Sequence, residues 1–512
     1  MPESIRPSRR HLLSRFAAAP ALLSAGFQRG PSAGRPNLVL ILTDNQGPRT
    51  LGCYGNPDVR TPHIDRLARE GVVFEQAFAN NAVCSPTRAS LLTGLMPSQH
   101  GVHTYLAAGG AQIGPQAYNT LQEFATLPKI LTASGYVAGL SGKWHLGGNL
   151  RPQEGFSYWV TKPHGHSPGF YDQEVIEDGK VRVEPGYLTD FWTDHGIRFL
   201  EQNRDKNFFL LLAYNGPYGL GTSTKEPIRN RHAGYYADKE LPSFPRDLPH
   251  PWLFNHRDFM ADAQVRRKYA AEISGIDDGV GRILATLERL KLQESTLVVF
   301  IADQGLATGQ SGFWGMGDHT RPLTAFDGTM RIPLIFRHPG RIVSGARSGL
   351  MVSTYDVLPT LLDYLGLRSG LPAHPPLPAH PPLPGRSIAP VLRGARLDWD
   401  QVVFYEFENV RAIRTERWKY IERIHQAPNE LYDLEKDPGE RLNLWGRDEL
   451  ESTARELRAR LHAFFERYAD PKWDLWKGGH SKANLITADL FGIRSPYRGP
   501  DAKPPLPEGV RR

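Results

Sequence analysis

Three stretches of the chain are apolar at nearly every position: Leu38-Val39-Leu40-Ile41-Leu42, Phe208-Phe209-Leu210-Leu211-Leu212-Ala213 and Leu297-Val298-Val299-Phe300-Ile301-Ala302. None alternates with polar residues. An unbroken apolar run of this length predicts a strand covered on both faces, as in a parallel sheet. Each run gives way to polar residues: Thr43-Asp44-Asn45, Asn215-Gly216-Pro217 and Asp303-Gln304-Gly305. Residues 136–140 and 332–336 read as weaker strands. Residues 61–69 and 262–289 carry apolar positions at helical spacing. Strands alternating with helices predict a mainly parallel α/β sheet. Ligands of such sheets bind beyond the carboxyl ends of the strands, which is where Asp44, Asn45, Asp303 and Gln304 fall.

Outside this pattern the chain divides further. Arg9-Arg10, a short apolar run and the small residues that follow have the layout of an export leader over residues 1–30, with paired arginines that suggest a twin-arginine address. Its apolar run is too short for a stable membrane span, and no later stretch is long enough. Residues 36–395 form the expected main domain. Within it, Leu-Pro-Ala-His-Pro-Pro occurs twice in tandem over residues 371–384, which predicts a stiff surface loop. A smaller module spans residues 398–470, with a strand at 402–405, a turn at 437–439 and a closing helix at 449–468. Residues 471–512 read as a partly disordered extension, Pro-rich and charged from 496 onward.

Composition narrows the classes. The 512 residues are 40% hydrophobic and 22% charged, as expected of a folded protein with more than one core. The net charge of +7 favours anionic ligands by long-range attraction; a mildly basic exported protein would show the same value. No Lys/Arg run or nucleic-acid motif is present, so no nucleic-acid partner is expected. Only Cys53 and Cys84 occur, which excludes a disulfide scaffold.

Candidate chemistry gathers around Cys84. In Cys84-Ser85-Pro86-Thr87-Arg88, Ser85 reads as an N-cap and Pro86 as the first helical residue. Cys84 would then stand just before a helix N-terminus, where backbone N–H groups favour an anion. Arg88, one turn on, would face the same anion. A cysteine packed beside a helix start is the plain alternative. Downstream, Lys143 and His145 follow the strand expected at 136–140 and can point to one side.

These segments resemble the signatures of the sulfatase family: Cys-x-Pro-x-Arg at 84–88, and Gly-Tyr…Gly-Lys-Trp-His-x-Gly over residues 135–147. The likeness runs over residues 36–468. It implies an alkaline-phosphatase-like α/β fold with a smaller C-terminal α+β subdomain. It also implies hydrolysis of the sulfate monoester of a small aryl or carbohydrate substrate, in the periplasm or after secretion. In the family a maturation enzyme converts this cysteine to formylglycine, the catalytic nucleophile. By resemblance Lys143 neutralises the sulfate and His145 hydrogen-bonds the nucleophile. Asp44, Asn45, Asp303 and Gln304 take the metal positions; oxygen donors suit Ca2+, with Mg2+ as the alternative.

The chain departs from the family pattern at several points. Asn45 and Gln304 stand where Asp and Asn or His are usual. Tyr218 replaces a sulfate-binding histidine, and Met316 replaces a lysine that Met cannot mimic. His319 is the nearest titratable group and becomes the candidate general acid. Arg321, His100, His103, His164 and His166 are candidate substrate contacts. Two other readings remain open: a phosphate or phosphonate ester hydrolase on the same scaffold, and a weakly active relative that binds sulfated glycans. The oligomeric state is not readable.

Overall fold

The computed structural model describes residues 34–486, apart from 109, 368–379 and 425–427. The leader, most of the proline-rich repeat and the tail from 496 lie outside the described residues.

The three apolar runs are the centre of an eight-stranded sheet. In chain order its strands are β1 (Asn37–Asp44), β2 (Val72–Phe78), β3 (Val137–Gly142), β4 (Phe156–Val160), β5 (Phe208–Pro217), β6 (Thr296–Ala302), β7 (Leu334–Arg337) and β8 (Ala346–Ser353). Their spatial order is β8-β2-β7-β6-β1-β5-β3-β4. All neighbours run parallel except those of β7, which is antiparallel to β2 and β6. β1 lies between β5 and β6, with Leu40 beside Leu211 on one side and Val299 on the other.

Both faces of the sheet are covered, as the unbroken runs require. Val39 and Ile41 face a core shared with the helices α3 (Leu188–Gln202) and α4 (Ala263–Arg289). Leu38, Leu40 and Leu42 face the opposite core, with α2 (Cys84–Thr93) and α5 (Thr354–Tyr364). α1 (Pro62–Arg69) joins the first layer through Ile64 and Leu67. Full burial of each such side chain contributes about 1.5–3 kcal/mol before the entropy of ordering is subtracted. α4 begins at Asp262, whose carboxylate caps the Gln264 N–H at 2.7 Å.

The smaller module is a four-stranded antiparallel sheet, β9 (Val402–Phe407), β10 (Val410–Thr415), β11 (Trp418–Arg423) and β12 (Glu430–Asp433), in sequential order. It is closed by α6 (Glu451–Tyr468), whose Phe464 ring stacks on Phe404 at 3.8 Å. Lys419 Nζ of β11 donates to Asp327, in the short helical turn Asp327–Met330 of the larger part, at 2.5 Å and to Glu440 of its own module at 2.6 Å. Residues 471–486, expected to begin a partly disordered extension, are packed: Trp473, Leu475 and Leu485 are buried.

Two local expectations change. Cys84 does not precede the helix but is its first residue, and the N-cap is Val83. Ser85 lies inside the first turn, where its Oγ accepts the Leu106 N–H at 3.0 Å instead of capping. Among the described residues no helix is long and apolar enough to cross a membrane.

Gly142 ends β3 at φ 121° with its Cα against β5; a Cβ there would stand 1.8 Å from the Ala213 carbonyl oxygen. Gly142→Ala is therefore expected to cost at least about 1–3 kcal/mol through backbone strain alone. Urea unfolding of the two proteins measures it.

Candidate active site

The strand ends bring the predicted polar residues together. Asp44 ends β1 and Asp303 follows β6, its neighbour; both are 0% exposed. Asp303 Oδ1 accepts the N–H groups of Asn45 at 3.1 Å and Gln304 at 2.8 Å. Asn45 is held at φ 60°. Its Nδ2 donates to the Tyr218 carbonyl at 3.0 Å, and its own carbonyl accepts the Tyr269 hydroxyl of α4 at 2.6 Å. Tyr218 and His145 are also at positive φ, 58° in each. Side chains other than Gly pay for that conformation, so three residues of one site are held by their surroundings.

Two cations face the carboxylates. Arg88 reaches Asp303 Oδ2 with Nε at 3.0 Å and with its NH2 nitrogen at 2.8 Å; the latter also lies 3.5 Å from Asp44. Its other terminal nitrogen donates to the Lys143 carbonyl at 2.6 Å. Lys143 Nζ pairs closely with Asp44 Oδ2 and lies 3.2 Å from Cys84 Sγ. Arg88 is 2% exposed and hydrogen-bonded to both carboxylates.

Cys84 lies among these groups, with Sγ 3.6 Å from Asp44 Oδ1 and 3.3 Å from Gln304 Nε2. Burial, reinforced by Asp44, raises its thiol from 9.0 to about 12. The thiol is accordingly neutral and a poor nucleophile as it stands. Burial, then the neighbouring Asp44, raises the Asp303 carboxyl to about 6.

The oxygen donors fit a hard divalent cation. The ligand atoms of Asp44, Cys84 and Asp303 lie within 4.8 Å of one another. Gln304 Oε1 is buried without a hydrogen-bond partner, while Gln304 Nε2 pairs with Asn45 Oδ1 and Met316 Sδ. An orphaned amide oxygen beside two carboxylates is what an oxygen-seeking cation would satisfy.

A cavity of about 410 Å3 opens over Cys84 and Lys143. His145, Tyr218 and His319 line it, as do His164 and His166. The His145 Nε2 lies 2.9 Å from the Leu106 carbonyl and its Nδ1 has no partner; no hydrogen bond to Cys84 is formed. Burial, then Lys143 and His166, hold His145 well below the ordinary histidine range. The Tyr218 hydroxyl meets His166 Nδ1 at 3.2 Å. Arg321 turns from the cavity onto the Asp318 and Thr320 carbonyls at 2.6 and 2.7 Å. His100 and His103 are buried elsewhere; His100 Nε2 lies 3.0 Å from Ser90 Oγ.

Sequence reasoning missed Tyr105, His256 and Asp318, which also line the cavity. Asp318 adjoins the singled-out His319. Tyr105 and His256 come from irregular segments whose spacing carries no signal.

Comparison with known proteins agrees with this geometry. The Sulfatase family model matches residues 36–367, and the model for the C-terminal region of N-sulphoglucosamine sulphohydrolase matches 318–467. The chain belongs to the sulfatase family and has its alkaline-phosphatase-like fold; its members are hydrolases of sulfate esters. It is 27% identical to an N-acetylglucosamine-6-O-sulfatase of Bacteroides thetaiotaomicron, over 88% of this chain and 90% of that one. It is 31% identical to N-acetylgalactosamine-6-sulfatase of Rattus norvegicus, over 68% and 66%. A solved structure of a protein in complex with its substrate, D-glucosamine-2-N,6-O-disulfate, superposes with TM-score 0.66 at 26% identity, over 85% of this chain and 98% of that one.

With both thiols buried or half-buried and burial pushing the Cys84 thiol up to about 12, little of it is thiolate near neutral pH. The native protein is expected to react with well under one equivalent of Ellman's reagent at pH 8. In denaturant it should react with two equivalents if Cys84 is unconverted and one if it is converted.

Proposed function

We propose that this protein hydrolyses a carbohydrate sulfate monoester, with formylglycine made from Cys84 as nucleophile and a divalent cation held by Asp44, Asn45, Asp303 and Gln304. One observation carries the reading: Cys84 forms the floor of the cavity, with the Lys143 ammonium, the Gln304 amide and the Asp44 carboxylate all within 3.6 Å of Sγ. An oxygen in that place would be held by the same groups. The hydrate of formylglycine supplies two hydroxyls, one to attack sulfur and one to expel sulfate afterwards, which a serine could not do. The cation, when bound, polarises sulfate oxygens and favours the ionised nucleophile.

The protein's own residues do the rest. Lys143 offsets charge on the sulfate and the nucleophile. Arg88 acts one step back, holding Asp303 and Asp44 in place. His145, kept neutral by burial, has Nδ1 unpartnered and takes the proton released when sulfate is expelled. His319, across the cavity, gives a proton to the leaving oxygen.

The relatives point to a sugar. Two of them are named for the 6-sulfate of an N-acetylhexosamine, so a 6-O-sulfated N-acetylhexosamine is the substrate to try first. Residues 36–395 and 398–470 are taken as catalytic domain and subdomain, and residues 1–30 as the leader for export to the periplasm or medium. Tyr218 and Met316 motivate the second reading, a weakly active relative that binds sulfated glycans.

Cys84 converted in its own host should weigh about 18 Da less than unmodified cysteine, as thiol-to-aldehyde conversion requires. Cys84→Ala should lower kcat on a sulfate ester by at least about a thousand-fold with unchanged circular dichroism; retained turnover would refute the assignment. Phosphate and phosphonate esters assayed alongside separate the remaining hydrolase reading.

Removal of the cation with a chelator should abolish turnover, and Ca2+ or Mg2+ should restore it. Asn45→Asp adds a carboxylate to the donor set and should tighten the cation's Kd by about ten-fold, read by isothermal titration.

A further inference from the structure

One charged group in the cavity wall is left unused by the chemistry above. Asp318 lines the same cavity as Cys84 and Lys143, and its side chain is 14% exposed. Its Oδ1 is buried without a hydrogen-bond partner. His319 Nδ1 stands 2.8 Å from it, but the same nitrogen lies 3.1 Å from the Met316 N–H. The Met316 N–H and the Asp318 carboxylate compete for that one nitrogen, so the carboxylate keeps acceptor capacity whichever of them the ring serves. The guanidinium of Arg321, three residues on, donates to the Asp318 and Thr320 carbonyl oxygens instead.

Burial raises the Asp318 carboxyl, yet His319 and Arg321 outweigh it and hold it below the usual range. The cavity therefore holds a carboxylate as well as the Lys143 ammonium beside Cys84, which suits a sulfate. Asp318 is partly desolvated, and unused acceptor capacity there is costly. A second sulfate or a carboxylate beside it would meet like charge; an O–H or N–H would be held by a charge-assisted hydrogen bond.

We propose that Asp318 is a specificity residue: it accepts a hydrogen bond from a hydroxyl or amine of the substrate next to the sulfate being cleaved, and so selects a sugar with a free donor there over one carrying a second anion. This rests on the sulfatase reading above and adds the recognition of the leaving group.

The test uses the full-length, matured enzyme and its Asp318→Asn and Asp318→Ala forms. Each is assayed for kcat/KM on N-acetylglucosamine 6-sulfate and on its 3-deoxy and 4-deoxy counterparts. The three substrates share one leaving oxygen, so an indirect effect of Asp318 on proton donation by His319 lowers all three alike and cancels. The wild type should lose about ten-fold or more on one of the deoxy sugars, as expected for a lost hydrogen bond to a charged group. The Asp318→Ala form should discriminate by less than about three-fold. Asp318→Asn, which keeps the shape, serves if the alanine form does not fold. Discrimination that persists in the variants, or is missing in the wild type, overturns the proposal. So does a wild type that cleaves aryl sulfates but no sugar. A matured wild type inert on every sulfate ester removes the sulfatase reading itself, and the proposal with it.

Discussion

Two carboxylates, Asp44 and Asp303, stand fully buried at the ends of neighbouring parallel strands. Uncompensated, each would be too costly to fold around. Arg88 and Lys143 make them tolerable, and the remaining architecture places those two cations. Lys143 arrives at the end of β3, which is in register with β5 and so with β1. Arg88 arrives on α2, seated against the sheet through Ala89, Leu91 and Leu92. Because the strands run parallel, their carboxyl ends converge at one edge, and the charges meet there without a dedicated loop.

The charge balance has a functional side. Two carboxylates and two cations cancel, and Asn45 and Gln304 add oxygen without adding charge. A divalent cation in this set would leave the site net positive, and an anionic ester would be drawn to it. Fewer carboxylates would thus weaken the grip on such a cation and strengthen the pull on an anionic substrate. Met316, which lines the cavity beside Gln304, stands where the family's lysine would supply an ammonium. Recognition around Asp318 would then rest on hydrogen bonds rather than on a second positive charge.

The central strands were legible because they are buried on both faces, leaving no polar position to interrupt the run. The outer strands were not. β2 contains the half-buried Glu75 and Gln76, and β8 contains Arg347 and Gly349, so their patterns resemble loops until distant partners are known. The motif residues around Cys84 and Lys143 were legible as a set, since local spacing fixes them. Their orientations were not: Arg88 turns to the carboxylates, and Ser85 gives up capping for the Leu106 N–H, because tertiary partners 21 to 215 residues away compete with the local ones. The far wall of the cavity is assembled from irregular segments, which no periodicity announces.

Every residue of α2 is buried, Cys84 included. A second protein would find little of this segment within reach once it is in place. Any enzyme that alters Cys84 must meet the chain while residues near 84 are still extended, as during synthesis. If the leader then sends a finished fold across a membrane, the alteration has to be complete on the side where the ribosome is. On the proposed chemistry at Cys84, the compartment that makes this protein would decide its competence, whatever compartment it works in.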